Sequence, residues 1–279
     1  MIKEENMEIT PTLFAVVAFI AFSFQYMSVS MGLGYGTVLT PLLLIIGFAP
    51  LQVVPAVLLS QFAGGVIGGV THHRVGNINL DFRRDDRFIK ERLRGLGYLP
   101  RSPDAKVIFI LAICGAIGAL VGVFCAINIP KLALEIYIGV MVLGIGILIL
   151  IRRHQEGTLS WKRLIGIGLL GSFNKGISGG GYIPLVTGGQ IISGREVKSS
   201  VGSTTVAVTF ACAVGFLGYV LIKGDIYWML VAAAIIGSVI AAPIAARMVK
   251  RIDAKRLKFA IGIGTSLLGA LTIAKAFFL

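Results

Sequence analysis

Lys175 is the residue whose type and setting point most directly to chemistry. It follows Asn174 inside an apolar stretch and precedes the run Gly176-Ile177-Ser178-Gly179-Gly180-Gly181. An ammonium at mid-membrane depth costs roughly 2.5–3.5 kcal/mol on insertion scales, and an anionic ligand would offset that cost. The competing reading is a lysine close enough to the interface, some twelve positions beyond Arg163, to snorkel its charge into water. Glycines at 34, 36, 179, 180 and 181 would let a ligand approach the backbone, or let helices pack closely. Helices starting just after them would present unpaired N–H groups and positive dipole ends, which favour anions. Thr37, Ser178, Gln61, Ser203 and Thr204 are the polar side chains best placed to assist, with Ser30, Gln25 and Gln190 behind them. Serine and threonine in membrane helices more often bond their own i−4 carbonyl. The expected substrate-binding set is therefore Gly34, Gly36, Thr37, Gln61, Lys175, Ser178, Gly179, Gly180, Gly181, Ser203 and Thr204.

Other chemistries lack their parts. There is no HExxH, no GxSxG and no pair of intramembrane carboxylates, so an intramembrane enzyme is not expected. No GxxxxGK[ST] run provides an ATP-driven engine. Cys114, Cys125 and Cys212 sit in apolar runs without CxxC spacing and read as small packing residues. No cofactor or metal is expected. His72 and His73 beside Arg74 read as interfacial residues, with proton coupling as the alternative. Glu135 and Asp225 lie at span ends, so no proton relay is evident and the coupling ion, proton or sodium, stays open.

The elements that must carry these residues follow from composition. The chain has 279 residues, 56% hydrophobic and only 14% charged, with a mean hydropathy of +0.89. A soluble domain carries roughly 25% charged residues. The net charge of +13 does not mark a nucleic-acid partner, because the charges fall in short loops between long apolar runs. That is the layout of a polytopic membrane protein. No cleavable leader or separate soluble domain is expected. About 20 apolar residues cross the hydrocarbon, and 11–31, 52–71, 106–127, 132–151, 199–222, 226–246 and 257–278 are long enough. Segments 37–47, 162–176 and 182–192 are too short or too broken. The breaks beside them, Gly32-Leu33-Gly34-Tyr35-Gly36 and the 176–181 run, read as unwound backbone, tolerated only where protein or a cavity satisfies it.

The two halves repeat. Gly34 and Gly36 fall on Gly179 and Gly181 at an offset of 145. Val75-Gly76-Asn77-Ile78 then matches Lys223-Gly224-Asp225-Ile226 at 148, and Ile129-Pro130-Lys131-Leu132 matches Ile252-Asp253-Ala254-Lys255 at 123. The offset falls because the first half carries a basic insertion, about 80–104. Loop 71–106 holds nine Lys/Arg against one in 223–225, whereas 128–131 holds one against six in 247–258. By the positive-inside rule the matching loops lie on opposite sides, so the halves are inverted. The expected fold is an all-α polytopic membrane protein of two inverted repeats, about five helical segments each. These are three spans plus a broken helix pair with a glycine-rich break. The parts are a tail (1–10), a first repeat (11–151) with the insertion, a cytoplasmic linker (152–163) and a second repeat (164–279). Loops 71–106, 152–163 and 247–258 are expected in the cytoplasm and both termini outside, which the acidic start at Glu4, Glu5 and Glu8 permits. The insertion, with Arg83, Arg84, Arg87, Lys90, Arg92 and Arg94, reads as a headgroup-facing helix. Inverted repeats with matching broken helices are the signature of secondary transporters, with the site near the midplane.

The glycine-rich run SGGGYIPL at 178–185, its degenerate copy GLGYGTVLTP at 32–41, and the turns Val75-Gly76-Asn77-Ile78 and Lys223-Gly224-Asp225-Ile226 resemble the TauE/SafE family. The resemblance spans nearly the whole chain outside the first ten residues and the insertion. It implies a multi-pass permease of the prokaryotic cell membrane for a small anion, typically sulfite or an organosulfonate such as sulfoacetate, and commonly an exporter. Tyr35 and Thr37 stand where the family is richer in glycine, and Lys175 precedes the second motif; these departures bear on the substrate, not the class. The expected partners are that small anionic substrate, the lipid bilayer and a coupling ion. The alternatives are an anion channel, which would need a continuous polar pore, or a permease for sulfate, thiosulfate or a carboxylate.

Overall fold

The computed structural model describes residues 9–83, 99–125, 131–151, 160–223 and 226–278. Glu4, Glu5 and Glu8, the insertion's Arg84, Arg87, Lys90, Arg92 and Arg94, the linker's Arg152 and Arg153, the Ile129-Pro130 turn and Gly224-Asp225 all lie outside them.

Ten helices carry the described chain: α1 (Pro11–Met31), α2 (Tyr35–Ile46), α3 (Pro50–Arg74), α4 (Pro103–Cys125), α5 (Lys131–Ile151), α6 (Trp161–Ser178), α7 (Tyr182–Ile192), α8 (Val197–Lys223), α9 (Trp228–Arg251) and α10 (Ala254–Phe278). Each of the ten expected segments is a helix, and the protein is an all-α polytopic membrane protein. Among the described residues α1, α3, α4, α8 and α9 are long and apolar enough to cross a membrane. Their starts are written locally. Pro11 and Pro50 open α1 and α3, where a missing N–H removes nothing a helix would use. Thr10 Oγ1 accepts from Leu13 N at 3.3 Å, and Ala49 N donates to Gln52 Oε1 at 3.1 Å. Large apolar side chains such as Phe19, Phe124 and Leu221 stay exposed, as a lipid-facing surface allows.

The insertion differs from its expected form at its ends. Phe82–Arg83 and Leu99–Pro100 pair as a two-residue antiparallel ladder (β1, β2).

Helices pack through small residues. A Cβ on Gly237 of α9 would fall 2.1 Å from Ala18 O of α1, and one on Gly122 of α4 would fall 2.3 Å from Phe173 O of α6. Only glycine permits such approach, the usual basis of close helix packing in lipid. The packing is reciprocal: α1 lies along α9 as α6 lies along α4, α3 along α9 as α8 along α4, and α3 meets α8 as α5 meets α10.

The ends of the bundle differ in charge. Asn77 Nδ2 donates to Ala246 O at 2.9 Å, Asn79 N to Asp104 Oδ2 at 2.9 Å, and Lys198 Nζ to Lys250 O at 3.1 Å. Ile149 clusters with Ile191, Val197, Val249 and Leu257. These contacts gather the loops around 75–83, 99–104, 193–198 and 250–255, and the end of α5, at one end, with Arg74, Arg101, Lys106, Arg247, Lys250 and Arg251. At the other end Phe48 meets Tyr227, their ring centroids 6.3 Å apart, within one apolar cluster that also takes in Ile9 and Leu13.

Candidate functional site

The two glycine breaks press against each other. α1 ends at Gly32 (φ 68°) and α6 at Gly179 (φ 70°), while Gly34 (φ 92°) and Gly181 (φ 78°) precede α2 and α7. A positive φ is a conformation that side-chain-bearing residues resist, so these four glycines set the register. They pair at an offset of 147, Gly32 with Gly179 and Gly34 with Gly181; Tyr35 with Tyr182 and Gly47 (φ 116°) with Gly194 (φ 83°) continue it. The sequence pairing of Gly34 with Gly179 and Gly36 with Gly181 was therefore two residues out of step, because Gly36 already lies in the first turn of α2.

Contacts exchange under that offset. A Cβ on Gly32 would meet Thr187 Oγ1 at 3.0 Å, and one on Gly179 would meet Thr40 Oγ1 at 3.2 Å. A Cβ on Gly34 would meet Pro184 Cδ at 2.8 Å, while Gly181 N donates to Thr37 Oγ1 at 3.0 Å. Thr40 and Thr187 are counterparts, as are Thr37 and Pro184. Thr37, on α2, thus caps the start of α7, whose own preceding residue has no side chain to do so. Gly36 is the closest approach: its Cβ would fall 1.8 Å from Gly179 O and 3.0 Å from Lys175 Nζ. Gly180 packs on the backbone of Gly36 and Thr37. Ser178 Oγ donates to Asn174 O at 2.9 Å and accepts from Gly180 N at 3.2 Å.

Lys175 lies at the centre and is 1% exposed, so it does not snorkel. Its Nζ donates to Gln61 Oε1 from α3 and to Gly179 O at the end of its own helix. Cys212 Sγ of α8 also donates to Gln61 Oε1, at 3.8 Å. Both ammonium acceptors are neutral dipoles, and no acidic side chain among the described residues bonds to it. An ammonium carries three donors, and these contacts use two. The Thr40 hydroxyl beside Gly179 is buried with no partner.

Nine of the eleven expected residues therefore meet: Gly34, Gly36, Thr37, Gln61, Lys175, Ser178, Gly179, Gly180 and Gly181. Ser203 and Thr204 do not join them. Ser203 Oγ donates to Gln190 Oε1 at 2.9 Å, and Gln190 Nε2 to Thr204 Oγ1 at 2.7 Å. Arg195 donates to Gln190 Oε1 and Ser203 Oγ and pairs with Asp104. Burial pulls the Arg195 guanidinium below its ordinary pKa, and Asp104 opposes that pull. The physical reason for the separation is helical rise. α8 starts at the basic end where α3 stops, so Ser203 stands six residues from that end and Gln61 thirteen, a difference of about 10 Å along the axis. Sequence reasoning passed over Thr40 and Asp104, whose counterpart and partner lie far away in the chain. His72 also departs from expectation: it is fully buried, its Nδ1 2.9 Å from Asn77 Nδ2, whereas His73 is exposed.

Residues 94–272 match the family model described as Sulfite exporter TauE/SafE. The chain belongs to the TauE/SafE family. The match covers the second break, Lys175 and the Arg195 cluster, and the chain is a membrane transporter of this family. A similar protein, the probable membrane transporter protein YtnM of Bacillus subtilis (strain 168), is 27% identical over 271 residues, covering 92% of this chain and 82% of its own. No solved structure matches. Both descriptions are of transporters rather than catalysts, so this TauE/SafE chain is read for what it moves.

Proposed function

We propose that the protein is a secondary transporter that exports a small anion, sulfite or an organosulfonate of sulfoacetate size, across the prokaryotic cell membrane by alternating access around the paired breaks. The observation that carries this reading is Lys175, an ammonium buried among neutral dipoles where four half-helix ends converge. A buried cation without a counter-charge is expensive, and an anion supplies one. The third ammonium donor, the unpartnered Thr40 hydroxyl and the N-terminal ends of α2 and α7 all favour an oxyanion. Sulfite and sulfonates present three oxygens to such donors.

The repeats are inverted in this reading. The exchange of contacts at an offset of 147 is what a pseudo-two-fold axis through the breaks would produce. The basic end then faces the cytoplasm. Because the site is enclosed by protein on the described sides, transport requires one repeat to rock against the other, opening the breaks to either side in turn.

A thermal-shift panel of sulfite, sulfate, thiosulfate, sulfoacetate and small carboxylates on purified protein tests the substrate class. Sulfite or a sulfonate is expected to raise the midpoint most. Counterflow of labelled sulfite or sulfoacetate into preloaded proteoliposomes then tests carriage: a transient overshoot supports exchange by a carrier, while flux without overshoot contradicts it.

A further inference from the structure

The geometry points to an alkali-cation site, probed here with sodium, at the first break, where α1 ends at Gly32. The inference rests on the proposed anion transport only for its coupling role, and its binding test is independent.

The argument starts from the offset of 147. In the second repeat α6 ends at Gly179, whose N–H donates to Lys175 O at 2.9 Å, and the Lys175 ammonium lies on Gly179 O. In the first repeat α1 ends at Gly32, whose N–H donates to Ser28 O at 2.8 Å. Ser28 thus stands where Lys175 stands. A helix C-terminus carries carbonyls without intrahelical donors and the negative end of the dipole. At α6 a built-in ammonium answers that end. At α1 the corresponding residue is a neutral hydroxyl.

Two buried hydroxyls have no partner there. Ser28 is 1% exposed and Thr187 is fully buried, and neither side-chain oxygen makes a hydrogen bond. Thr187 Oγ1 sits against Gly32, 3.0 Å from where its Cβ would be. Unsatisfied buried hydroxyls are costly, and hydroxyl and carbonyl oxygens are the ligands that hard cations take. Neither hydroxyl titrates near neutral pH, so a proton is not held on them. A bound sodium ion would give the first break the charge that Lys175 gives the second. An anion between the breaks would then be flanked by two cations, one covalent and one mobile, and sodium would bind cooperatively with it.

The test uses the purified full-length protein with sodium gluconate replacing choline gluconate at constant ionic strength, and no sulfur oxyanion present. Sodium is expected to raise the thermal midpoint saturably. Ser28→Ala and Thr187→Val are each expected to raise the half-saturating sodium concentration about tenfold, the loss of one contact to a charge. A midpoint that ignores sodium in the wild type overturns the inference, whatever the variants do. So does an unchanged half-saturation in both variants. Sulfite titrations alongside separate the two readings: sulfite binding without any sodium effect removes the cation site alone. A saturable sodium effect without sulfite binding leaves the cation site standing and removes the anion assignment.

Discussion

Lys175 and Gly36 together show how one position can be fixed by chemistry and its neighbour by space. The ammonium reaches Gln61 and Gly179 only because Gly36 leaves room, its Cβ otherwise falling 1.8 Å from the Gly179 oxygen. Gly36→Ala is therefore expected to force the breaks apart, destabilising the protein by about 1–3 kcal/mol, the range for overpacking. A thermal midpoint equal to wild type would refute that tightness. Lys175 was legible in the sequence because a charge in an apolar run is rare, and Gln61 because it is a polar residue at mid-span. Thr40 and Thr187 were not, since a lone threonine in a helix ordinarily satisfies itself on the preceding turn. Only the fold reveals that neither does so.

The half-helices α2 and α7 each start at a glycine break, and α7 draws a partner from α2. Gly181 N donates to Thr37 Oγ1 at 3.0 Å, a cap supplied from 144 residues away. Thr37→Val keeps the shape and leaves that buried N–H unpaired, which is expected to lose about 1–3 kcal/mol. Faster hydrogen exchange confined to residues around 179–184 would locate the loss; unchanged exchange there would show that the cap contributes nothing. The helices themselves were readable from apolar length, and the breaks from glycine clusters beside them. The pairing of the two breaks was not, because several glycines crowd each break and only backbone angles distinguish Gly32 and Gly34 from Gly36. Ser203 and Thr204 lie apart from the breaks, bonded to Gln190, for a related reason. A span's polar residues were located by its sequence, whereas their height depends on where the helix begins.

At the scale of the whole molecule, charge and packing agree on two distinct ends. Residues as far apart as Asn77 and Ala246, or Lys198 and Lys250, are hydrogen-bonded at the basic end, which brings together the loops 71–106 and 247–258 that charge counting assigns to one side and adds the turn at 193–198. Single cysteines placed at Arg101 and at Thr10, both exposed, in a background without the native three, test the orientation. Arg101→Cys is expected to react only with permeant reagent from outside and Thr10→Cys with an impermeant one. The opposite pattern would reverse the topology. The central claim is that a buried ammonium between two glycine breaks holds an oxyanion. Calorimetric titration of sulfite and sulfoacetate into wild type and Lys175→Met tests it most directly. The account predicts saturable binding to the wild type and a loss of about 1.5–3 kcal/mol in the variant, roughly 10- to 150-fold. Equal affinity in the two proteins, or no binding of either anion to the wild type, would contradict it.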